Sequence, residues 1–402
     1  MSGMENDIKS YQKYSSNRDV ISLFSGAMGL DIGMEYAGLH VVIGQDFDDS
    51  CVETMKANKY RVLGGDIQNI DPQDLLNLTG LHIGEPFMIC GGPPCQPFST
   101  AGKRTGINDP RGSLFMDFIR MINYIRPRFF VMENVKGIMS APLKHLPISE
   151  QDKDDPAQKL GTVLEVILSE FDKLGYKTVY GLLDAVNYGV PQFRERFILI
   201  GSRDNEDIFL PVPTHFQRHQ EYDYRWRTVR EAISDLENDD SECAKFSDER
   251  KYYLQMVPQG GNWRNLPQEL IPVAMGGAYK SGGGKVGFYR RLSYDQPSPT
   301  ITTSPAQKAT MLCHPIKDRP LSVKEYARIQ QFPDYWIFIG TTASKYRQIG
   351  NAVPVGLGTA IGKAILSVAD DTALIQTKRF RGTSVHNKIK GAIEIGGHTN
   401  GN

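Results

Sequence analysis

The chain has 402 residues, 40% of them hydrophobic and 23% charged, the proportions of a globular protein long enough for one large domain and a smaller one. Its 46 basic residues balance 46 acidic ones, so no global field selects a charged partner. The opening "MSGMENDIKSYQKYSSNRD" carries no apolar run, which argues against a signal peptide or membrane anchor and leads us to expect a cytosolic protein.

Residues 1–18 are expected to be a polar tail. Short apolar runs then recur at 19–24, 40–45, 61–65, 86–90, 128–133, 176–183 and 196–201, separated by helical stretches. Strands alternating with helices, several strands being apolar on both faces, predict an α/β fold with a doubly wound, mostly parallel sheet. Residues 140–160 read as a polar surface insertion. After Gly201 the pattern stops, and the charge separates. Residues 204–249 carry 5 Lys+Arg against 13 Asp+Glu, whereas residues 250–317 carry 9 against 2. The basic stretch is rich in glycine, proline and aromatics and predicts a loop-rich second domain presenting Lys280, Lys285, Arg290 and Arg291. On charge alone it is equally a solvated face. Helical spacing returns at 322–332 and 354–369, and residues 370–402 form a second polar tail.

Five cysteines, at 51, 90, 95, 243 and 313, include no C-x-x-C pair, so neither a disulfide framework nor a metal site is expected. Four suit ordinary buried thiols. Cys95 differs: in "GGPPCQPFST" it is held by prolines directly after the fourth strand, at the edge of the sheet where a ligand crevice belongs. In isolation it reads as a structural thiol.

The first strand–helix junction, "ISLFSGAMGLDIG", has Gly26 and Gly29, but Phe24 stands where a dinucleotide fingerprint has its first glycine. That pattern favours a nucleoside cofactor without a pyrophosphate, with Asp46 at the end of the second strand placed for ribose hydroxyls, Phe47 for stacking, and Asp66 closing the third strand. S-adenosylmethionine fits better than NAD, although the junction taken alone is equally a strand–helix turn with surface acids. Glu133 ends the fifth strand, where a buried carboxyl can protonate a ring nitrogen or merely sit at a helix start. Arg194 and Arg196 lie two apart before or within the seventh strand, suited to an anionic or carbonyl-bearing substrate, or to solvent. In "YRQIGNAVP", Asn351 is placed to cap the last helix and touch a ligand.

In order along the chain, "FSGAMGL", "GGPPCQPFS", "ENV", "QFRER", "RPLSVKEYARIQQFPD" and "QIGNAVP" closely resemble the motifs of C5-cytosine DNA methyltransferases, over roughly residues 19–369. The resemblance implies a class I S-adenosylmethionine-dependent methyltransferase fold, with a catalytic and cofactor-binding domain from 19–203 and 318–369 and a target-recognition domain at 204–317. It implies that Phe24, Ser25, Gly26 and Gly29 line the methionine end of the cofactor, and that Asp46, Phe47, Asp66, Ile67, Asn351 and Val353 hold the rest. It implies that Cys95 adds to C6 of a flipped cytosine, that Glu133 engages N3 and the exocyclic amine, and that Arg194 and Arg196 hold the O2 side and orient Glu133. Residues 99–112 would close over the base, with Ser99, Lys103 and Arg104 near phosphate, and the basic segment would enter the groove of double-stranded DNA.

Architecture of this kind resembles the modification enzyme of a bacterial restriction-modification system, a monomer whose genetic partner is an endonuclease with which it forms no stable complex. A tRNA cytosine methyltransferase shares the fold, but its Cys-Phe-Thr signature is missing; a catalytically silent DNA-binding regulator would not need Cys95, Glu133 and both arginines. Two departures stand out. Asp46 replaces a more frequent glutamate, and Gln331 stands where glycine is common, for which the sequence offers no reason.

Overall fold

The computed structural model describes residues 18–94, 114–142, 159–217, 224–239, 242–280 and 286–371. Strands and helices alternate through the first half: β1 (Asp19–Leu23), α1 (Gly29–Ala37), β2 (His40–Asp46), α2 (Asp49–Ala57), β3 (Val62–Gly64), α3 (Pro72–Thr79), β4 (Met88–Gly91), α4 (Leu114–Ile125), β5 (Phe129–Asn134), α5 (Thr162–Lys173), β6 (Lys177–Asp184) and β7 (Glu195–Ser202). Each strand falls on an apolar run expected from the sequence. They form one seven-stranded sheet in the order β3-β2-β1-β4-β5-β7-β6. Five strands from β3 to β5 are parallel, whereas β7 runs antiparallel to both β5 and β6. Order reverses between β1 and β4, the switch point at which a parallel sheet opens a crevice beyond its strand ends.

Alternation along the strands sends side chains to two cores. Phe129 and Val131 of β5 join one with Ile198 and Ile200 of β7, while Phe130, Met132 and Leu199 join the other with Phe118 of α4 and Phe171 of α5. The remaining described strands and α-helices are β8 (His215–Phe216), β9 (Tyr224–Arg225), α6 (Val229–Ile233), α7 (Asp248–Leu254), α8 (Ile271–Met275), α9 (Gly277–Lys280), α10 (Val323–Ile329), α11 (Thr342–Asn351) and α12 (Val355–Ala369). A third, separate core forms between 246 and 313 from Phe246, Tyr253, Leu254, Val257, Leu266, Tyr289, Met311 and Cys313. Val229, Ile233, Leu292 and Ile301, by contrast, pack into the first core with the sheet.

The chain returns to the sheet through α12, which crosses α1 at glycine contacts. A Cβ on Gly33 would lie 2.4 Å from the Val355 carbonyl oxygen and 2.7 Å from Gly358 Cα, so only glycine permits this approach. The stretch Thr342–Ala369 is long and apolar enough to cross a bilayer, yet 67% of its most apolar window is buried inside the protein, as in a core helix. Part of the acidic stretch after Gly201 is paired with the helices that follow. Asp235 pairs with Arg328, Asp239 with Lys324 and Glu242 with Lys345, so these carboxylates fasten α10 and α11 instead of forming a free acidic face.

Gln331 has a physical explanation in its backbone. Its φ is 65°, a left-handed conformation that glycine adopts without cost. The side chain compensates: Gln331 Nε2 donates to the Gly189 carbonyl at 2.8 Å and its Oε1 accepts from the Gly356 N–H at 3.0 Å. These bonds tie the turn before β7 to the start of α12. Gln331→Ala keeps the strained φ and loses both bonds, so it should destabilise the fold by about 1–3 kcal/mol; Gln331→Gly, relieved of strain, should cost less in the same denaturant titration.

Candidate active site

Beyond the carboxyl ends of β1, β2, β4 and β5 the structure forms a cleft of about 700 Å³, the size of a cofactor pocket. The β1–α1 turn makes one wall. Phe24, Gly26 and Met28 all have left-handed φ values, of 53°, 54° and 66°, so the turn doubles back sharply. Phe24 thus holds without glycine the conformation that a first glycine would supply. Gly29 is needed for a different reason: a Cβ there would lie 2.2 Å from the Val353 carbonyl oxygen, and its absence lets the segment leading into α12 close the cleft.

Asp46, at the end of β2, fixes that turn. Its carboxylate accepts from the Gly26 N–H at 2.8 Å and the Asp48 N–H at 2.9 Å, and burial pushes its pKa up. Ser25, Phe47, Asp66, Ile67, Asn351 and Val353 also line the cleft. Phe47 is 69% exposed, an apolar ring presented to whatever enters. Asp66 is exposed and accepts from the Gln68 N–H at 3.1 Å. Asn351 ends α11 and does not cap the last helix; Pro354 holds that position, without a side-chain cap bond.

On the opposite wall, Glu133 pairs in register with Ile198 across β5 and β7, so Arg196, two residues before Ile198, falls on the same face one diagonal away. The Arg196 Nε lies 2.7 Å from Glu133 Oε1. A Cβ on Gly92 would sit 2.9 Å from Glu133 Oε2, so the carboxyl lies directly over the glycine that leads into the proline turn. Burial pushes the Glu133 pKa above the ordinary carboxylate value, although Arg196 and Arg194 pull against it. Asn134, which sequence reasoning passed over, clamps the same turn: its Nδ2 donates to the Pro93 carbonyl at 2.9 Å and its Oδ1 accepts from the Val135 N–H at 2.8 Å.

Arg194 is placed differently from Arg196. It is buried, donating to the carbonyl oxygens of Ile301, Gly350 and Ala352 at 2.7–3.0 Å, and its Nε has no partner among the described residues. Burial and the neighbouring Arg196 charge lower its pKa to about 9, so it stays cationic at neutral pH. It therefore braces the wall formed by 350–352, with one N–H left over, and makes no hydrogen bond to Glu133.

Cys95, Ser99, Lys103, Arg104 and Lys285, the closing loop 99–112 and most of both tails lie outside the described residues. Of the other expected DNA contacts, Lys280 is exposed at the end of α9. Arg290 is half-buried, with Nε on the Met311 carbonyl at 3.2 Å. Arg291 requires correction. It is 5% exposed and spends its donors on the carbonyls of Leu254, Val257, His314 and Lys317 and on the Asp318 carboxylate, as an internal strut of the third core, with none left for phosphate.

A seven-stranded sheet with one reversed strand and a cleft of about 700 Å³ at its switch point defines a Rossmann-like fold with a ligand crevice. Residues 18–367 match the family model of the C-5 cytosine-specific DNA methylases, and the chain belongs to that family. It is 38% identical over 362 residues to the Type II methyltransferase M.Sau96I of Staphylococcus aureus, covering 90% of this chain and 78% of that one. It is 39% identical over 360 residues to the Type II methyltransferase M.PspPI of a Psychrobacter strain, covering 88% and 80% respectively. Among solved structures, a prophage-encoded putative DNA modification methyltransferase from E. coli superposes with a TM-score of 0.60 at 23% identity, over 88% of this chain and 99% of that one, a likeness of fold. The protein is a DNA cytosine-C5 methyltransferase.

Proposed function

We propose that the cleft binds S-adenosylmethionine and that the protein methylates C5 of a cytosine flipped out of double-stranded DNA, protecting host DNA from a cognate endonuclease. The arrangement that carries this reading is the Glu133–Arg196 pair set over Gly92, facing Asp46 and Phe47 across one cleft. The residues present suit the cofactor: Asp46 keeps carboxylate lone pairs for ribose hydroxyls, Phe47 offers an exposed ring, and Asn351 and Val353 line the side closed by α12. Bound there, S-adenosylmethionine supplies an electrophilic methyl group.

The protein's own groups prepare the base. Cys95, carried by the turn that Gly92 and Asn134 hold in place, adds as thiolate to C6, and the electron pair displaced from the C5–C6 bond makes C5 nucleophilic. Glu133 donates a proton to N3 as that charge develops, and Arg196, hydrogen-bonded to Glu133, keeps the carboxyl aimed at the ring. The Arg194 Nε remains available for a carbonyl oxygen such as O2. Once C5 carries the methyl group, a base such as water takes the C5 proton, the electron pair reforms the C5–C6 double bond and expels the Cys95 thiolate, and N3 returns its proton to Glu133.

Lys280 and Arg290 belong to the basic segment expected to lie along the duplex, with Ser99, Lys103, Arg104 and Lys285 as further phosphate contacts. Relatives named as Type II methyltransferases support the pairing with a restriction endonuclease. In this reading the protein works as a cytoplasmic monomer. Bisulfite sequencing of DNA from cells expressing the protein tests it: one short motif should carry a C5-methylated cytosine at every occurrence, and unmethylated DNA beside methylated tRNA would overturn it.

A further inference from the structure

Among the ionisable groups that line the cleft without a part in the chemistry above, Asp31 is set apart by its surroundings. Asp31, on α1, lines the cleft while being 1% exposed, and the groups around it are arranged as donors. The Gln45 N–H donates to Ser25 Oγ at 3.1 Å and Ser25 donates to Ser22 Oγ at 2.8 Å, which leaves the Ser22 hydrogen for the Asp31 carboxylate. From β4, the Cys90 thiol approaches Asp31 Oδ1 at 3.7 Å.

Among the described residues, the groups that shift the Asp31 pKa include no Lys, Arg or His. The ionisable groups near it are Cys90 from β4, Glu35 one turn along α1, and Tyr60 from the segment before β3; Ser22 of β1 faces it as a neutral donor. The α12 helix, packed on α1, offers glycine and apolar side chains there, and its Lys363 is exposed. A carboxyl surrounded by donors but given no cation is built to meet a positive charge from outside the protein. Cys90, which approaches Asp31, lies two residues before Gly92, over which the Glu133 carboxyl sits, and both carboxyls line the same cleft.

We propose that Asp31 is the counter-charge for the sulfonium of the methyl donor, releasing its proton to solvent when that cation binds and keeping it when the neutral thioether product binds. This rests on the cleft holding S-adenosylmethionine. Such a device favours the donor over the demethylated product, because only the donor repays the cost of a buried carboxylate. Desolvation raises the Asp31 pKa to about 7, which puts its proton within reach at neutral pH.

Calorimetric titration of the full chain with S-adenosylmethionine and with S-adenosylhomocysteine, between pH 6 and pH 8 and in buffers of different ionisation enthalpy, tests the proposal. Donor affinity should fall about tenfold from pH 8 to pH 6 with release of a proton, while affinity for the product changes less than about twofold. Asp31→Asn should abolish the donor's proton release and pH dependence and leave product affinity unchanged. Ser22→Ala, which removes one donor to the carboxylate, should shift the donor's pH dependence to higher pH. Equal proton release for donor and product, or proton release surviving in Asp31→Asn, overturns the role of Asp31. Failure of both ligands to bind the wild-type chain overturns the cofactor reading itself.

Discussion

Cys95→Ala lowers methyl transfer by at least about 10⁴-fold, while binding of DNA and cofactor persists. The size of the effect follows from the absence of any substitute thiol. Burial raises the pKa of Cys51, Cys90, Cys243 and Cys313, that of Cys313 to about 12, so none of the four supplies a thiolate at neutral pH. The chain that leads to Cys95 is fixed by its neighbours as far as Pro93. A Cβ on Gly91 would lie 2.4 Å from the Leu23 carbonyl oxygen, Gly92 lies beneath Glu133, and the Pro93 carbonyl is held by Asn134. Oligonucleotides containing 5-fluorocytosine, which cannot lose a proton from C5, should give a denaturant-resistant adduct with the wild-type chain and none with the variant. Activity within tenfold of wild type in Cys95→Ala would remove covalent catalysis from the mechanism.

The second large effect is at Glu133. Glu133→Gln keeps the shape and a hydrogen-bonding group beside Arg196 but has no proton to transfer, and kcat should fall by about 10²–10⁴ with little change in cofactor affinity. The pH profile distinguishes a proton donor from a merely structural acid. Burial raises the pKa of Glu133, so the acid form dominates below that raised value and is lost as pH climbs through it. Wild-type kcat should therefore decline on the alkaline side through Glu133, and the variant's residual rate should lack that limb. An unchanged alkaline limb in Glu133→Gln assigns the proton to another group.

Strand positions were legible because each strand is a compact apolar run, but direction was not. The "RFILIG" run of β7 reads the same whether parallel or antiparallel, and only pairing with β5 and β6 reveals the reversal. Helix α11, "TASKYRQIGN", escaped notice because its sequence is mostly polar. It buries Tyr346, Gln348 and Ile349 through tertiary packing that composition does not register.

The site was legible where a rule ties sequence to position: Asp46 and Glu133 end parallel strands, and such ends meet at a crevice. It was illegible where burial decides. Arg290 and Arg291 carry the same charge in the same basic run, yet Arg291 turns inward onto backbone carbonyls. Arg194 and Arg196 are likewise neighbours on one face, and only Arg196 bonds Glu133. Asp31 did leave a signal, an acid in "GLDIGM" where every residue is buried. A carboxyl in such a run needs a reason, and the cleft beside it offers one.

Incubating the purified protein with methyl-labelled S-adenosylmethionine and either unmethylated DNA or total tRNA, then digesting the nucleic acid and separating the nucleosides, tests substrate and atom together. All of the label should appear in 5-methyl-2′-deoxycytidine from the DNA. Label in 5-methylcytidine from tRNA, or on a nitrogen of deoxycytidine, would contradict the assignment of this chain as a DNA cytosine-C5 methyltransferase.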